Sequence, residues 1–215
     1  MEMISVHEAE KIIASNVLDF GVEPVALLEA LGRVLAEDLL ADRELPPLNR
    51  ATVDGIAIQR EAIREGVRTF KVMGVQAAGQ RPLTISDADQ CIEIMTGAAV
   101  DDSLNAVIRY EDCSIEHGTA QVRQEVVITS GMNIHKKGMD KEKGDLVVDK
   151  HRVVTAAVIG LAASIGKTVL LVKKLPRVAV ISTGDELVAV GQLPSPYQLR
   201  RSNGVVIKSA LDKYR

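Results

Sequence analysis

Apolar positions along this chain change their period at two places, and those changes divide it into segments. Ser5-Val6-His7-Glu8 reads as a capping box, with Ser5 as N-cap and Glu8 reaching back to it. Val6, Ala9, Ile12, Ile13 and Val17 follow at helical spacing, which predicts an amphipathic opening helix. A short second helix is expected over Ala26 to Leu31, stopped by Gly32. Periodicity leaves Val34 to Leu40 open between strand and helix. Pro46-Pro47 breaks the pattern. From there to about Gly144 the period is strand-like: Ile56 to Ile58, Thr69 to Val75, Cys91 to Met95, Ala106 to Arg109 and Thr119 to Ile128, with a helix near Arg60 to Glu65. Val153 to Ser164 returns to helix with Thr155 as cap and Gly166 past its end, and Lys167 to Lys174 reads as a strand. After Pro176, the apolar run Val178-Ala179-Val180-Ile181 is expected as a strand buried on both faces, followed by a loop and a helix from Asn203 to Tyr214.

Composition narrows the function classes. Apolar residues make up 47% of the 215 positions but aromatics only 2%, so cores must be built from Val, Ile, Leu and Ala. A formal net charge of −3 gives no global basic field for nucleic acid or anionic lipid. Cys91 and Cys113 are too few for a disulfide framework or a four-ligand zinc site, and read as small buried thiols. The opening Met1-Glu2-Met3-Ile4-Ser5 shows no basic region leading into an apolar run, and Val153 to Ile165 is too short to span a bilayer. The cytoplasm is the default compartment, with no membrane and no nucleic-acid partner expected.

Four short constellations carry candidate chemistry. Pro46 to Ile58 contains Asp54-Gly55, by itself most often a plain turn, yet able to place a rigid carboxylate for a hard cation. Met95-Thr96-Gly97-Ala98 leaves a strand with a hydroxyl and a backbone N–H suited to an oxyanion. Gly131-Met132-Asn133-Ile134-His135-Lys136-Lys137-Gly138-Met139-Asp140 sets two lysines beside an acid, fit for phosphate and metal together or for a solvated turn. His135 has no second His or Cys at ligand spacing and is not taken as a metal ligand. Ser182-Thr183-Gly184-Asp185-Glu186-Leu187 follows the apolar run, where free N–H groups and hydroxyls suit phosphate and the acids suit a cation or a base. Gly166-Lys167-Thr168 imitates the tail of a P-loop, but position 161 is Leu and Lys167 opens a strand, so nucleotide hydrolysis of that type is discarded.

The order of these motifs resembles the molybdopterin molybdenumtransferase family, which includes bacterial MoeA and the E domain of gephyrin. Leu31 to Asp38 and Ser202-Asn203 match further segments, and the resemblance runs over nearly the whole chain, read as the amino-terminal part of a longer protein. It implies a multidomain fold, α+β and α/β. A first helix takes residues 1–19. A discontinuous linker domain takes 20–45 and 145–175, a β-rich domain is inserted at 46–144, and 176–215 begin an incomplete α/β molybdopterin-binding domain. It also implies an elongated homodimer, contacts with other proteins of molybdenum cofactor biosynthesis, and insertion of molybdate into adenylylated molybdopterin with release of AMP and a cation such as Mg²⁺.

Carried over position by position, Asp54 and Asp140 take the cation and molybdate region, Thr96 a donor role, and Glu186 a place beside the adenylate or metal. Thr183, Gly184, Ser202 and Asn203 fall on ligand-binding segments. Catalytic roles thus rest on Asp54, Thr96, Asp140 and Glu186, with Asp54, Asp140 and Glu186 for the metal. Departures from the family pattern are Arg50 in the first motif, Val100 to Asn105 in place of a Pro-rich acidic turn, and Arg201 where an acid commonly precedes Ser-Asn. Arg50 and Arg201 favour an alternative, a non-catalytic molybdopterin-binding or assembly module that keeps the dimeric scaffold. These 215 residues alone are expected not to turn over.

Overall fold

The computed structural model describes residues 4–213, so Met1 to Met3 and the predicted helix end at Tyr214 lie outside the described residues. Helix α1 (Val6–Ser15) begins with the capping box: Ser5 Oγ accepts from the Glu8 N–H at 3.2 Å and the Glu8 carboxylate accepts from the Ser5 N–H at 2.8 Å. Strand β1 (Val22–Ala26) and a 3-10 turn at Leu27–Glu29 follow. Next come β2 (Leu39–Leu40), β3 (Arg50–Ala51), β4 (Gly55–Ile58) and the short α2 (Arg60–Arg64). β5 (Thr69–Gln76), β6 (Gln90–Ile94), β7 (Ala106–Arg109), β8 (Cys113–Glu116) and β9 (Thr119–Val122) supply most of the sheet. β10 (Ile134–His135), β11 (Leu146–Val148), α3 (Ala156–Ser164) and β12 (Val169–Lys173) lead to β13 (Leu187–Val188), β14 (Leu199–Arg200) and α4 (Ser202–Asp212).

The chain forms two compact units, one of Met1–Leu39 with Val148–Arg215 and one of Leu40–Val147. The second is built on a six-stranded sheet in the order β7-β4-β6-β5-β9-β8. Only the β5–β6 pairing is parallel. The period-two pattern sorts the side chains onto its two faces. Ile56, Ile58, Phe70, Cys91 and Ile108 enter one core, while Ala57, Ile92, Ile94 and Val107 enter the other. Each fully buried Ile or Phe contributes about 1.5–3 kcal/mol, so this apolar sheet is held without an aromatic-rich core.

In the other unit β1 and β12 pair antiparallel from Val22↔Lys173 to Ala26↔Val169. Leu35, Leu170 and Val172 are fully buried there. Thr155 caps α3 by accepting from the Val158 N–H at 3.3 Å. Arg33 reaches the Glu23 carboxylate at 2.6 Å and the Lys173 carbonyl at 2.7 Å, which ties the turn after Ala30 to the end of the β1–β12 pair.

Three expectations are corrected. The predicted helix at 26–31 shrinks to one 3-10 turn, because β1 runs to Ala26 and the Leu27 N–H is taken by the Thr168 carbonyl at 2.9 Å. The strand expected over 119–128 stops at Val122, and Arg68 holds the carbonyls of Arg123 and Val126, both at 3.0 Å, in the turn that follows. Val178 to Ile181 is no strand: Val178 is 54% and Ile181 82% exposed. No strand among the described residues pairs with it, and an unpaired strand buried without partners costs about 1–3 kcal/mol per unmet group.

Candidate functional site

Within the unit Leu40–Val147 the backbone brings three of the predicted motifs together. β3 lies antiparallel to β10, with Arg50 opposite His135 and Ala51 opposite Ile134. On its other side the Ala51 N–H donates to Ala98 at 3.0 Å and the Gly97 N–H donates to Ala51 at 2.8 Å. Asn133, at φ 55, turns the chain into β10 and donates its side-chain N–H to the Val107 carbonyl at 2.9 Å. Asn tolerates that left-handed backbone better than most residues.

Asp54 and Thr96 meet directly. Asp54 Oδ1 accepts the Thr96 backbone N–H at 2.6 Å and the Thr96 hydroxyl at 2.8 Å. Those two bonds, the backbone one first, hold the Asp54 carboxyl below its ordinary value. Gly55 is required beside it: a Cβ there would run into the Ile108 carbonyl, because β7 packs against the backbone at that point. Tyr110 donates its N–H to the Asp54 carbonyl at 3.2 Å and its hydroxyl to Glu93 at 2.6 Å. Burial first, then the bond to Glu93, pushes the Tyr110 phenol upward.

Asp140 is placed differently. Its N–H donates to Leu45 at 2.9 Å, and its Oδ1 lies 3.0 Å from His135 Nε2. His135 Nδ1 in turn lies 3.4 Å from Arg50 Nη2. Asn49 joins the surrounding loops, accepting from the Lys137 N–H at 2.9 Å and donating to Asp102 at 3.0 Å. Sequence reasoning set His135 aside and passed over Asn49 and Tyr110. For Asn49 and His135 the signal was an amide and an imidazole inside two of the four motifs, each with donor and acceptor capacity; Tyr110 lies outside all four and gave none.

The remaining predicted residues lie in the other unit. Thr183, Ser202 and Asn203 line one cavity of about 790 Å³ together with Arg200 and Arg201. Ser202 and Asn203 open α4, whose N-cap Arg201 makes no side-chain capping bond, so first-turn N–H groups stay available beside the two arginines. Such a cavity suits an anionic ligand. Gly184, at φ 142, sits under Glu186, and a Cβ there would come within 2.5 Å of the Glu186 carboxylate. Glu186 itself is fixed through its backbone, whose carbonyl accepts from Leu199 at 2.8 Å. Among the described residues no group of three or more His, Cys, Asp or Glu is arranged to hold a metal ion.

The mixed α/β architecture is that of a known family. A model described as the MoeA N-terminal region, domains I and II, matches residues 4–166, and the chain belongs to that family. A molybdopterin molybdenumtransferase of Synechocystis sp. is 36% identical over 201 residues, 94% of this chain and 52% of that protein. One of Staphylococcus epidermidis is 34% identical over 215 residues, 98% of this chain and 51% of that protein. A solved molybdopterin biosynthesis MoeA protein from Pyrococcus horikoshii superposes with a TM-score of 0.88 at 27% identity, covering 99% of this chain and 57% of that one. A second structure of that name and source gives 0.80 at 31% identity, over 98% of this chain and 55% of that one. The chain thus spans about half the length of the relatives it matches. No helix among the described residues is long and apolar enough to cross a membrane.

Proposed function

We propose that this chain serves molybdenum cofactor biosynthesis, in the step that inserts molybdate into adenylylated molybdopterin and releases AMP. The observation that carries the reading is the pair of hydrogen bonds that Thr96 donates, from its backbone N–H and its hydroxyl, to one oxygen of Asp54. It fixes an ionised carboxylate at the Asp-Gly motif and leaves the second oxygen without a hydrogen bond from the described residues. The relatives' names support the substrate, and the cavity of Thr183, Ser202 and Asn203 supports an anionic ligand such as the pyrophosphate of the adenylate.

Asp54 and Asp140 in one unit, and Glu186 separately in the other, each present hard oxygen donors, the chemistry that fits Mg²⁺. Among the described residues no three such side chains gather in one place, so the substrate's phosphates would have to supply the remaining oxygens to the cation. When bound, Mg²⁺ would supply charge neutralisation at the phosphoanhydride. The chain's own residues do the rest. Thr96 keeps Asp54 ionised and oriented, the open first turn of α4 with Arg201 receives anionic oxygen, and Glu186 stands over Gly184.

The unit Leu40–Val147 supports reading 46–144 as an inserted β-rich domain, and we read 20–45 and 145–175 as a linker domain and 176–215 as the beginning of an α/β domain from the family resemblance alone. A homodimer in the cytoplasm, working with other proteins of the same pathway, completes the reading. In the full-length protein Asp54→Ala is expected to abolish Mg²⁺-dependent molybdate insertion while leaving thermal stability nearly unchanged, as an exposed loop carboxylate contributes little packing. Full activity in that variant would overturn the role.

A further inference from the structure

Arg50, His135 and Asp140 form a line of three side chains that the proposed reaction leaves unused except at its end. Arg50 on β3 and His135 on β10 stand opposite each other in the ladder. The imidazole touches both neighbours, Arg50 Nη2 at 3.4 Å from Nδ1 and Asp140 Oδ1 at 3.0 Å from Nε2. Among the described residues the Arg50 side chain pairs with no carboxylate, and its hydrogen-bond contact is with the ring.

A guanidinium has only donors. Its contact with Nδ1 is favourable only when that nitrogen carries a lone pair, and a carboxylate oxygen next to Nε2 is favourable only when that nitrogen carries the proton. One neutral tautomer satisfies both contacts at once; the other puts N–H against N–H and a lone pair against an anion. His135 is the more enclosed member, its side chain 24% exposed against 55% for Asp140. The ring is therefore the more constrained group, and the carboxylate is what it constrains.

We propose that Arg50 and His135 are positioning residues for Asp140. The guanidinium selects the Nε2–H tautomer of His135, and that N–H clamps one oxygen of Asp140, leaving the other for the divalent cation or oxyanion. This rests on the functional reading above for what Asp140 meets, but the tautomer is a property of the chain alone. Orienting partners of this kind change metal affinity or activity by roughly 10–100-fold when removed.

The test has two arms. Long-range ¹H–¹⁵N spectra of the 215-residue chain at pH 8 report which ring nitrogen of each of its four histidines is protonated, and loss of one set in His135→Gln assigns it. Protonated Nε2 with bare Nδ1 is expected, moving toward a tautomer mixture in Arg50→Leu. A protonated Nδ1, or a signal indifferent to Arg50→Leu, overturns the proposal. In the full-length protein His135→Leu should raise the Mg²⁺ concentration needed for half-maximal molybdate insertion roughly 10–100-fold. His135→Gln, which keeps an N–H donor, should recover most of that loss. Equal impairment of both variants, or of neither, overturns the positioning role. An inactive full-length wild type would overturn the proposed function instead, while the imidazole spectra decide the clamp by themselves.

Discussion

Thr96 gives both its backbone N–H and its hydroxyl to the same oxygen of Asp54, at 2.6 and 2.8 Å. A carboxylate held that way is more acidic than a free one. Its contribution to stability, small because the group is exposed, is present above its usual value of 3.8 and is lost as pH falls through the lowered folded value. Thr96→Val removes the hydroxyl and keeps the larger backbone contribution. Asp54 should then titrate higher than in wild type yet still below 3.8, as read from its carboxyl ¹³C shift. An unchanged titration would mean that the hydroxyl does not bond Asp54 in solution.

Two glycines should respond to alanine in opposite directions. Gly55→Ala drives a Cβ into the Ile108 carbonyl, so it should destabilise the chain by about 1–3 kcal/mol or more. Gly160, inside α3, has nothing within 4 Å of the same position. Gly160→Ala should stabilise by about 0.5–1 kcal/mol. Denaturant midpoints compare the two directly.

Both cysteines should be silent until the chain unfolds. Burial pushes the Cys91 thiol up to about 12 and the Cys113 thiol up to about 11, from a usual 9.0. Their raised values stabilise the native state fully below pH 9.0 and lose that effect as pH rises through the folded values. Iodoacetamide at pH 8 should label neither in the native chain and both in denaturant, and stability should decline above pH 9.0.

Gly184→Ala should reproduce the loss of Glu186. The added methyl takes the place where the Glu186 carboxylate now lies and strains a backbone at φ 142. Since this segment is exposed, the melting temperature should shift little while activity of the full-length protein falls as far as in Glu186→Gln. Equal activity to wild type in Gly184→Ala would show that the carboxylate works from elsewhere.

What was legible in the sequence was what depends on neighbours along the chain. The Ser5–Glu8 capping box and the Thr155 cap act over three residues, and the period of β4 to β7 is written in consecutive side chains. What was illegible depends on distant partners. Ala26 to Leu31 carries helical spacing, but the pairing of β1 with β12, across more than a hundred residues, claims its first position. Val178 to Ile181 has a strand's composition and no strand beside it among the described residues. Asp54 and Thr96 belong to separate motifs in the sequence and are in contact in the fold, 42 positions apart. Arg50 stands out in the sequence only as a departure from the family pattern, because its relation to His135 crosses 85 positions and leaves no periodic trace.

The unit Leu40–Val147 has its two ends joined by hydrogen bonds, Ala41 to Asp145 at 2.9 Å and Gly144 to Ala41 at 2.8 Å. Entry and exit of the chain are therefore neighbours, and the hundred-odd residues between them behave topologically as a cassette. A gene can acquire, lose or exchange such a cassette with a single short splice at that doorway. The carboxylates Asp54 and Asp140 travel with it, whereas Glu186 stays behind with the other unit, so the two sets of side chains can change independently.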